Sequence, residues 1–266
     1  MKDKISVLTT VYNEEQFIAS SIKSILNQSY KSFELIVIND FSNDGTHKIL
    51  KKIKDKRLKI YNLKKRYGRT KALNFGLKKC KFNIIAIQDA DDFSFKDRLS
   101  VQSNKLKNDK SLGLVASRAK YIDDNGNVID NSNIYFSKNL NNLKFRNFIT
   151  HSSVMFNRTK ISKSFLYDKK YKYAQDYKMI VTFLKLSKIF IFNKQLVKIR
   201  INRKRGMTVD KKLSLVIIKE SINLLNYSKK NFKNNFKEIF LINFNLMRRY
   251  LKLLFLQLKK LYGNIG

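Results

Sequence analysis

The stretch Ile84-Ile85-Ala86-Ile87-Gln88-Asp89-Ala90-Asp91-Asp92 joins an apolar run to three closely spaced carboxylates. The run over 82–87 is short and apolar except for Asn83, which predicts a strand that is buried on both faces of a sheet. Two interpretations of the acids that follow it are open. They can bind a divalent cation that is itself bound to a phosphate, because hard cations prefer oxygen ligands. Alternatively, they form a strand-end turn that accepts backbone N–H groups and caps a following helix at Ser94.

Strands and helices alternate along the first half of the chain. Strands are predicted at 5–11, 33–38, 58–63 and 82–87, and helices are predicted between them, the last over 69–79. This alternation is typical of a parallel, doubly wound α/β sheet.

Polar loops follow three of these strands. They carry Tyr12-Asn13-Glu14, Asp40 and the acids from Asp89 to Asp92. In a parallel sheet the carboxyl ends of the strands share one edge, and ligands bind beyond that edge. We therefore expect these side chains to converge, which favours the cation interpretation.

The charge of the chain is extreme. In its 266 residues 56 Lys and Arg stand against 20 Asp and Glu, for a formal net charge of +36. A field of this strength favours nucleic acid or anionic lipid as a partner. The chain is also rich in Lys, Asn, Ile and Phe and contains no Pro or Trp, so a base bias in the genome is a second explanation. The charge alone therefore does not name a partner.

A single cysteine, Cys80, leaves no partner for an internal disulfide and is typical of a reducing compartment. The N-terminus runs into the first strand without a signal-peptide core. No stretch reaches the roughly 18 consecutive apolar residues that a membrane span needs. We therefore expect a cytoplasmic protein.

The pattern changes after Asp92. The next part of the chain is predicted to contain strands at 112–117, 151–156 and 189–201, a tight turn at Asn125-Gly126, and a helix that begins near Ala174. The predicted organisation is one domain over 1–205, with halves 1–105 and 106–205.

A helical, basic extension follows over 206–266, where 12 Lys and Arg stand against three Asp and Glu. Its last helix mixes long apolar stretches with pairs of basic residues. Such a helix can lie on an anionic membrane surface. It can equally pack against the preceding domain or against a second copy of the chain.

Taken together, these segments resemble the inverting family 2 glycosyltransferases of the GT-A fold. The stretches that carry the resemblance are 6–15 (SVLTTVYNEE), 24–29 (SILNQS), 33–46 (FELIVINDFSNDGT), 68–76 (GRTKALNFG) and 88–92 (QDADD). On the acceptor side, 151–156 (HSSVMF) and 174–177 (AQDY) are similar as well. The resemblance covers residues 4–205 and leaves the extension outside.

The resemblance implies a role for each matching residue. Thr10, Val11, Tyr12 and Glu14 would flank the base and ribose of a nucleotide sugar. Asp40 would accept a hydrogen bond from a uracil-type base, Lys71 would face the diphosphate, and Asp89, next to Ala90, would contact the ribose. Asp91 would bind Mg²⁺ or Mn²⁺, Asp176 would be the general base, and His151 and Gln175 would line the acceptor side.

The implied activity is inverting transfer of a sugar from a nucleotide sugar, with a UDP-sugar preferred, to a hydroxyl of a surface polysaccharide or lipid-linked glycan. The protein would work in the cytoplasm, peripheral at the inner face of the plasma membrane, and no specific nucleic acid is expected. The alternative is a catalytically weak, transferase-like protein that binds membrane or nucleic acid through its basic faces, with an affinity that falls steeply with salt.

Four positions depart from the family pattern. Thr10 stands where the family usually has Pro, and Asn39 precedes Asp40 where a second Asp is usual. Gln175 replaces a Glu before the base, and Asn202 stands near a position that often carries His. Asp176 also has a simpler interpretation, as the N-cap of the helix that begins there.

Overall fold

The computed structural model of the chain describes residues 4–129, 136–201 and 211–262. Within these ranges the strands form one mixed sheet in the order β3-β2-β1-β4-β7-β6-β8-β5. The strands are β1 (Ile5–Val11), β2 (Phe33–Asn39), β3 (Leu58–Asn62), β4 (Ile84–Ile87), β5 (Phe93–Ser94), β6 (Leu112–Ile122), β7 (Met155–Asn157) and β8 (Lys188–Arg200). The helices are α1 (Ile18–Leu26), α2 (Thr46–Lys52), α3 (Arg69–Lys79), α4 (Arg98–Asn108), α5 (Gln175–Leu186), α6 (Lys211–Asn231) and α7 (Phe236–Tyr262). Short 3-10 helices cover Leu140–Lys144, His151–Ser153 and Arg158–Lys160.

The first four strands are parallel, as the alternation of strands and helices predicts. β1 lies between β2 and β4, with Ile5 paired to Phe33 on one side and to Ile84 on the other. Successive β2 residues point to opposite faces: Leu35 and Val37 pack with α1, and Ile36 and Ile38 pack with α3. Both faces of β2 are therefore covered, which fits its continuous apolar run Leu35–Ile38.

The second half of the sheet is less regular than the sequence predicts. β7 runs antiparallel to both of its neighbours, β4 and β6. Residues 151–156, predicted as one strand, instead begin as the 3-10 helix His151–Ser153. The backbone N–H and the hydroxyl of Ser153 both donate to the carbonyl of Thr150. This local bonding competes with strand pairing until Met155.

α6 and α7 pack against the domain that precedes them. Phe145 shares an apolar cluster with Ile218 and Ile222 of α6 and with Ile242 of α7. One face of the extension is thus buried against the preceding domain. The predicted boundary between residues 205 and 206 lies outside the described residues. In the part of the chain that the structure describes, no helix is long and apolar enough to cross a membrane.

Candidate active site

A cavity of about 200 Å³ opens at the edge of the sheet where the parallel strands end. Seven of the predicted donor-site residues line it: Thr10, Val11, Tyr12, Glu14, Asp40, Ala90 and Asp91. They come from the carboxyl ends of β1, β2 and β4 and from the loops that follow these strands. These ends share one edge of the sheet because the three strands are parallel. The other lining residues are Arg66, Gly68, Arg69 and Ala72, from the loop before α3 and from its first turn.

The loops after β1 and β2 are held to each other by polar side chains. The Glu14 N–H donates to Thr46 Oγ1 at 2.9 Å, and the Asn13 N–H donates to Ser42 Oγ at 3.0 Å. Asn13 has a φ of 54°, in the left-handed region that Asn tolerates better than most residues. One wall of the cavity is therefore shaped by backbone that is fixed before any ligand binds.

Asp40 organises the loop that leads into α3. Its two oxygens accept hydrogen bonds from the backbone N–H groups of Tyr67 and Gly68, each at 2.8 Å. Gly68 adopts a φ of 85°, which strongly favours glycine. A base-edge contact to Asp40 would use the remaining lone pairs of these oxygens, since each oxygen accepts more than one bond.

The three acids after β4 have different environments. Burial alone would raise the pKa of Asp89, but the charge of Arg69 and the interaction with His151 hold it well below its ordinary value. Arg69 Nη2 lies 2.5 Å from Asp89 Oδ1, and His151 Nδ1 lies 3.6 Å from the same atom. Asp89 is therefore an ionised partner of Arg69.

Asp91 and Asp92 carry the opposite pKa shift. Burial and the charge of Asp89 raise the pKa of Asp91, and burial and the charge of Asp91 raise the pKa of Asp92 well above its usual range. Asp92 accepts hydrogen bonds from Ser152 Oγ and from the Arg200 N–H. Of the three acids, Asp91 is the one that lines the cavity.

The alternative interpretation of these acids is right about the turn and wrong about the helix cap at Ser94. The Asp92 N–H donates to the Asp89 carbonyl at 3.3 Å, and Asp92 accepts the Arg200 N–H. Ser94 belongs to β5, which pairs antiparallel with β8, and α4 begins at Arg98. The N-cap of α4 is Asp97, whose side chain makes no capping hydrogen bond.

The buried Arg98 holds the acidic loop through hydrogen bonds to the segments on either side of it. Arg98 is fully buried, and its guanidinium donates to Gln88 Oε1 and Ser94 Oγ and to the carbonyls of Ile87 and Val154. Burial lowers the pKa of Arg98 to about 9. These bonds tie the end of β4 to β5 and to the segment before β7, so the acids are held on a rigid base.

Arg66 and Arg69 line the 200 Å³ cavity, whereas Lys71, the residue that the resemblance places at the diphosphate, does not. Lys71 lines a different cavity, of about 530 Å³, together with Phe75 and Lys78. Two residues along a helix turn a side chain by about 200°, so Arg69 faces the acids while Lys71 faces away. The Arg66 guanidinium stacks 3.8 Å from the Tyr12 ring centroid.

Arg66 and Arg69 were not predicted as site residues, although the sequence carries a signal for Arg69. An arginine in the first turn of a helix opposes the helix dipole, so a basic residue there needs a partner or a function.

The two residues that the resemblance implies for the acceptor side both contact Arg69. His151 is buried, and its Nδ1 lies 3.1 Å from Arg69 Nη2 while its Nε2 lies 2.9 Å from the Tyr167 hydroxyl. The Gln175 amide satisfies its neighbours when its oxygen accepts from Arg69 Nε at 3.2 Å and its nitrogen donates to the carbonyls of Lys172 and Tyr173. Both side chains thus help to fix the arginine.

Asp176 is the second residue of α5. The N-cap is Ala174, so the interpretation of Asp176 as the cap is wrong. Asp176 Oδ2 accepts a hydrogen bond from Asn147 Nδ2 at 3.3 Å. Its charge, together with the larger effect of Asp89, raises the pKa of Arg69 against the effect of burial. Asp176 therefore acts on the same arginine from outside the 200 Å³ cavity. Asn202 lies outside the described residues.

The residues present fit a divalent cation that is shared with a ligand. Among the described residues no three His, Cys, Asp or Glu side chains are grouped so that they could hold a metal ion by themselves. Mg²⁺ is commonly held by one or two carboxylates and the phosphates of a substrate. Asp91 supplies such a carboxylate, and a cation beside it would offset the repulsion between the acids that raises its pKa.

Comparison with known proteins gives several relatives. The model of the family "Glycosyl transferase family 2" matches residues 6–166. An uncharacterized glycosyltransferase of Methanocaldococcus jannaschii is 32% identical over 66% of this chain and 63% of its own length. The O-antigen biosynthesis glycosyltransferase WbnJ of Escherichia coli is 38% identical over 60% of this chain and 64% of its own length. The matched part thus spans just under two thirds of each of these relatives.

Solved structures with the same fold include two transferases. The Staphylococcus aureus TarS structure in complex with UDP-GlcNAc gives a TM-score of 0.70 at 18% identity, over 94% of this chain and 73% of that chain. The mannosyltransferase PcManGT of Pyrobaculum calidifontis, in complex with GDP-Man and Mn²⁺, gives 0.66 at 14% identity, over 93% and 73%. At such identities the likeness shows the fold, and it confirms the expected GT-A arrangement of a mostly parallel α/β sheet. Because the family model matches more than half of this chain, the chain belongs to glycosyl transferase family 2.

Proposed function

We propose that this protein is an inverting glycosyltransferase that moves a sugar from a nucleotide sugar, preferably a UDP-sugar, to a hydroxyl group of a glycan or lipid-linked acceptor. The observation that carries the proposal is the convergence of Thr10, Tyr12, Asp40, Arg69 and Asp91 on one cavity at the carboxyl edge of the sheet. Acidic and basic groups on a single cavity suit a ligand that carries both a pyrophosphate and a bound cation.

The chemistry of the donor explains the charges. When the bond to the anomeric carbon breaks, negative charge develops on the departing nucleoside diphosphate. A divalent cation bound through Asp91 would supply electrostatic stabilisation of that charge. Arg69 is held by Asp89, His151 and Gln175, so its positive charge is already oriented and needs little rearrangement during the reaction.

The acceptor needs a base on the opposite side of the sugar. We assign this role to Asp176, whose carboxylate lies in the first turn of α5, where the helix dipole favours negative charge. It would take the proton from the attacking hydroxyl as the new bond forms. Attack from the side opposite the leaving group inverts the anomeric centre.

The relatives support the choice of donor and cofactor. TarS structures contain UDP or UDP-GlcNAc, PcManGT contains GDP-Man and Mn²⁺, and WbnJ is named for O-antigen biosynthesis. We therefore propose a nucleotide-sugar donor, Mg²⁺ or Mn²⁺ as cofactor, and a surface glycan or its lipid-linked precursor as acceptor.

A donor screen tests the proposal. Melting temperatures would be measured with UDP-, GDP- and dTDP-sugars, each with and without Mn²⁺. We expect one nucleotide class to stabilise the protein, and only with the metal, because a ligand that binds the folded state raises its stability in proportion to the logarithm of its excess over Kd. Equal shifts for all nucleotides, or none, would contradict the proposal. They would favour instead the transferase-like protein that binds through its basic faces.

We propose further that α7 rests on an anionic membrane surface. Phe240, Phe244, Met247, Leu251, Leu254 and Leu258 are exposed at alternating spacings of four and three residues, which places them on one stripe of the helix. The stripe lies opposite the buried face that holds Ile242 and Leu246. Arg248 and Lys252 border it, so apolar insertion and attraction to anionic headgroups act together.

Vesicle flotation tests the role of α7. The protein should float with vesicles of phosphatidylglycerol and phosphatidylethanolamine, float much less with pure phosphatidylcholine, and lose binding when Leu251 is replaced by Glu. The exposed Val128→Glu variant, far along the chain from α7, is the matched control and should bind as wild type does. Wild-type binding by Leu251→Glu would contradict the assignment. So would a dimer in solution that Leu251→Glu dissociates.

A further inference from the structure

A carboxylate of the C-terminal extension binds the backbone just before the proposed base. Glu220 lies on α6 and is only 5% exposed. Its Oε1 accepts from the Lys172 N–H at 2.6 Å, and its Oε2 accepts from the Tyr173 and Ala174 N–H groups at 3.0 and 2.8 Å. One side chain therefore fixes three consecutive peptide groups.

These three peptide groups lead directly into α5. The first N–H groups of a helix and those just before it have no partner within the helix. Ala174, the N-cap, has no side chain that could supply one. Glu220 provides the missing acceptor from a distant part of the chain, and Asp176 follows two residues after the last N–H that it binds.

The same segment is tied to the donor side through α3. Thr70 Oγ1 donates to the carbonyl of Tyr171 at 2.7 Å, and the Gln175 oxygen accepts from Arg69 Nε. Tyr171 also packs against Leu224, one turn after Glu220 on α6. Residues 171–175 are thus clamped between the arginine of the donor cavity and the C-terminal extension.

We propose that Glu220 is a positioning residue for Asp176, so that the C-terminal extension completes the acceptor side of the active site. This inference rests on the proposed function, in which Asp176 is the base. Glu220 lies beyond the family-model match, which ends at residue 166, and beyond the stretches that carry the resemblance. Glu220 acts through the backbone of 172–174 and touches neither donor nor acceptor.

Glu220→Gln tests whether the segment depends on the two carboxylate oxygens of Glu220 or only on the size of its side chain. The amide keeps the size of the side chain but offers one acceptor oxygen to three donors, and its NH₂ group faces an N–H. The segment must then shift to find other partners. A displacement of about 1 Å at a reacting group can cost about a hundredfold in rate.

The test is steady-state kinetics with the donor that the screen identifies. We expect Glu220→Gln to lower kcat by about tenfold to a hundredfold, while KM for the donor and Kd for UDP stay within about twofold of wild type. Lys219→Gln is the matched control, because Lys219 is the exposed neighbour of Glu220 on the same helix. It also changes one charge on α6 and should leave kcat within about threefold of wild type.

The outcomes are distinct. If Glu220→Gln retains kcat within about threefold of wild type, or loses no more than Lys219→Gln, Glu220 does not position the base. If Glu220→Gln does not fold, Glu220→Asp, which keeps both oxygens on a shorter stem, is judged by the same limits. Wild-type and Asp176→Asn proteins are assayed alongside. Equal rates for those two would overturn the proposed function itself, whereas an inactive Asp176→Asn beside a fully active Glu220→Gln overturns only the positioning role.

Discussion

Arg69 Nη2 lies 2.5 Å from Asp89 Oδ1, so the first acid of the Asp89-Ala90-Asp91 motif is paired with the first residue of α3. The pair joins the loop after β4 to the helix whose N-terminal turn borders the cavity. The Arg69 side chain as a whole stays about a third exposed and lines the cavity. Asp89 therefore fixes the Arg69 side chain beside the cavity, and Asp91 remains the acid of this motif on the cavity wall.

The first prediction concerns the two basic residues of α3. Replacing Arg69 by Met should weaken UDP binding by about tenfold to a hundredfold, because a charge-assisted contact to phosphate is lost. Replacing Lys71 by Met removes the same charge two residues away and should change Kd by less than about twofold, since Lys71 lines the other cavity. Isothermal titration of UDP with Mn²⁺ measures both. A larger loss for Lys71→Met would show that the diphosphate lies on the other face of α3.

The second prediction concerns the base. Asp176→Asn should lower kcat by about a thousandfold, because an amide cannot accept the proton of the acceptor hydroxyl. UDP affinity should be unchanged, since Asp176 does not line the donor cavity. Asp168→Asn makes the same change of charge in the preceding loop and should retain activity. Comparable losses in the two variants would point to general electrostatics rather than to proton transfer.

The third prediction concerns Arg98. Its guanidinium is fully buried and donates hydrogen bonds to five partners, so Arg98→Met leaves several buried acceptors without a donor. We expect a loss of about 3 kcal/mol or more in the free energy of unfolding, measured by urea denaturation. Lys107→Met, an exposed change on the same helix, should cost less than about 0.5 kcal/mol. A mild effect at Arg98 would mean that the acidic loop does not depend on this anchor.

The fourth prediction is a pH dependence of metal binding. Burial and the charge of Asp89 raise the pKa of Asp91, so a fall in pH protonates it sooner than an ordinary Asp. Only the ionised carboxylate binds a metal, and binding then displaces a proton. Mn²⁺ with UDP should therefore raise Tm more at about pH 7.5 than at about pH 5.5, beyond the change seen with UDP alone. An equal or larger shift at the lower pH would contradict this sign.

Local patterns account for much of what was predicted correctly. α3 is predicted at 69–79 and observed at Arg69–Lys79, because its apolar spacing and the glycine before it are both local signals. The parallel strands around β1 follow from strand–helix alternation. The position of the cavity follows in turn, since parallel strands bring their carboxyl ends to one edge.

What was missed depends on long-range geometry. β7 pairs antiparallel with β4, so that Asn157 meets Ile84, and β5 pairs with β8, so that Phe93 meets Lys198. These partners are far apart along the chain, and periodicity does not encode strand direction. The resemblance implies a role for Lys71 and none for Arg69. Matching a stretch of sequence does not show which face of the helix borders the cavity, and that face decides which side chain lines it. Glu220 carries no local signal at all, since its partners lie on another element.

The central claim is that Asp91 binds a divalent cation shared with the diphosphate of the donor. Isothermal titration of UDP into wild-type and Asp91→Asn proteins, each with and without Mn²⁺, tests it most directly. We predict that Mn²⁺ tightens UDP binding by about tenfold or more in the wild type and leaves the Asp91→Asn protein unaffected. An equal gain from Mn²⁺ in both proteins, or none in the wild type, would contradict the claim.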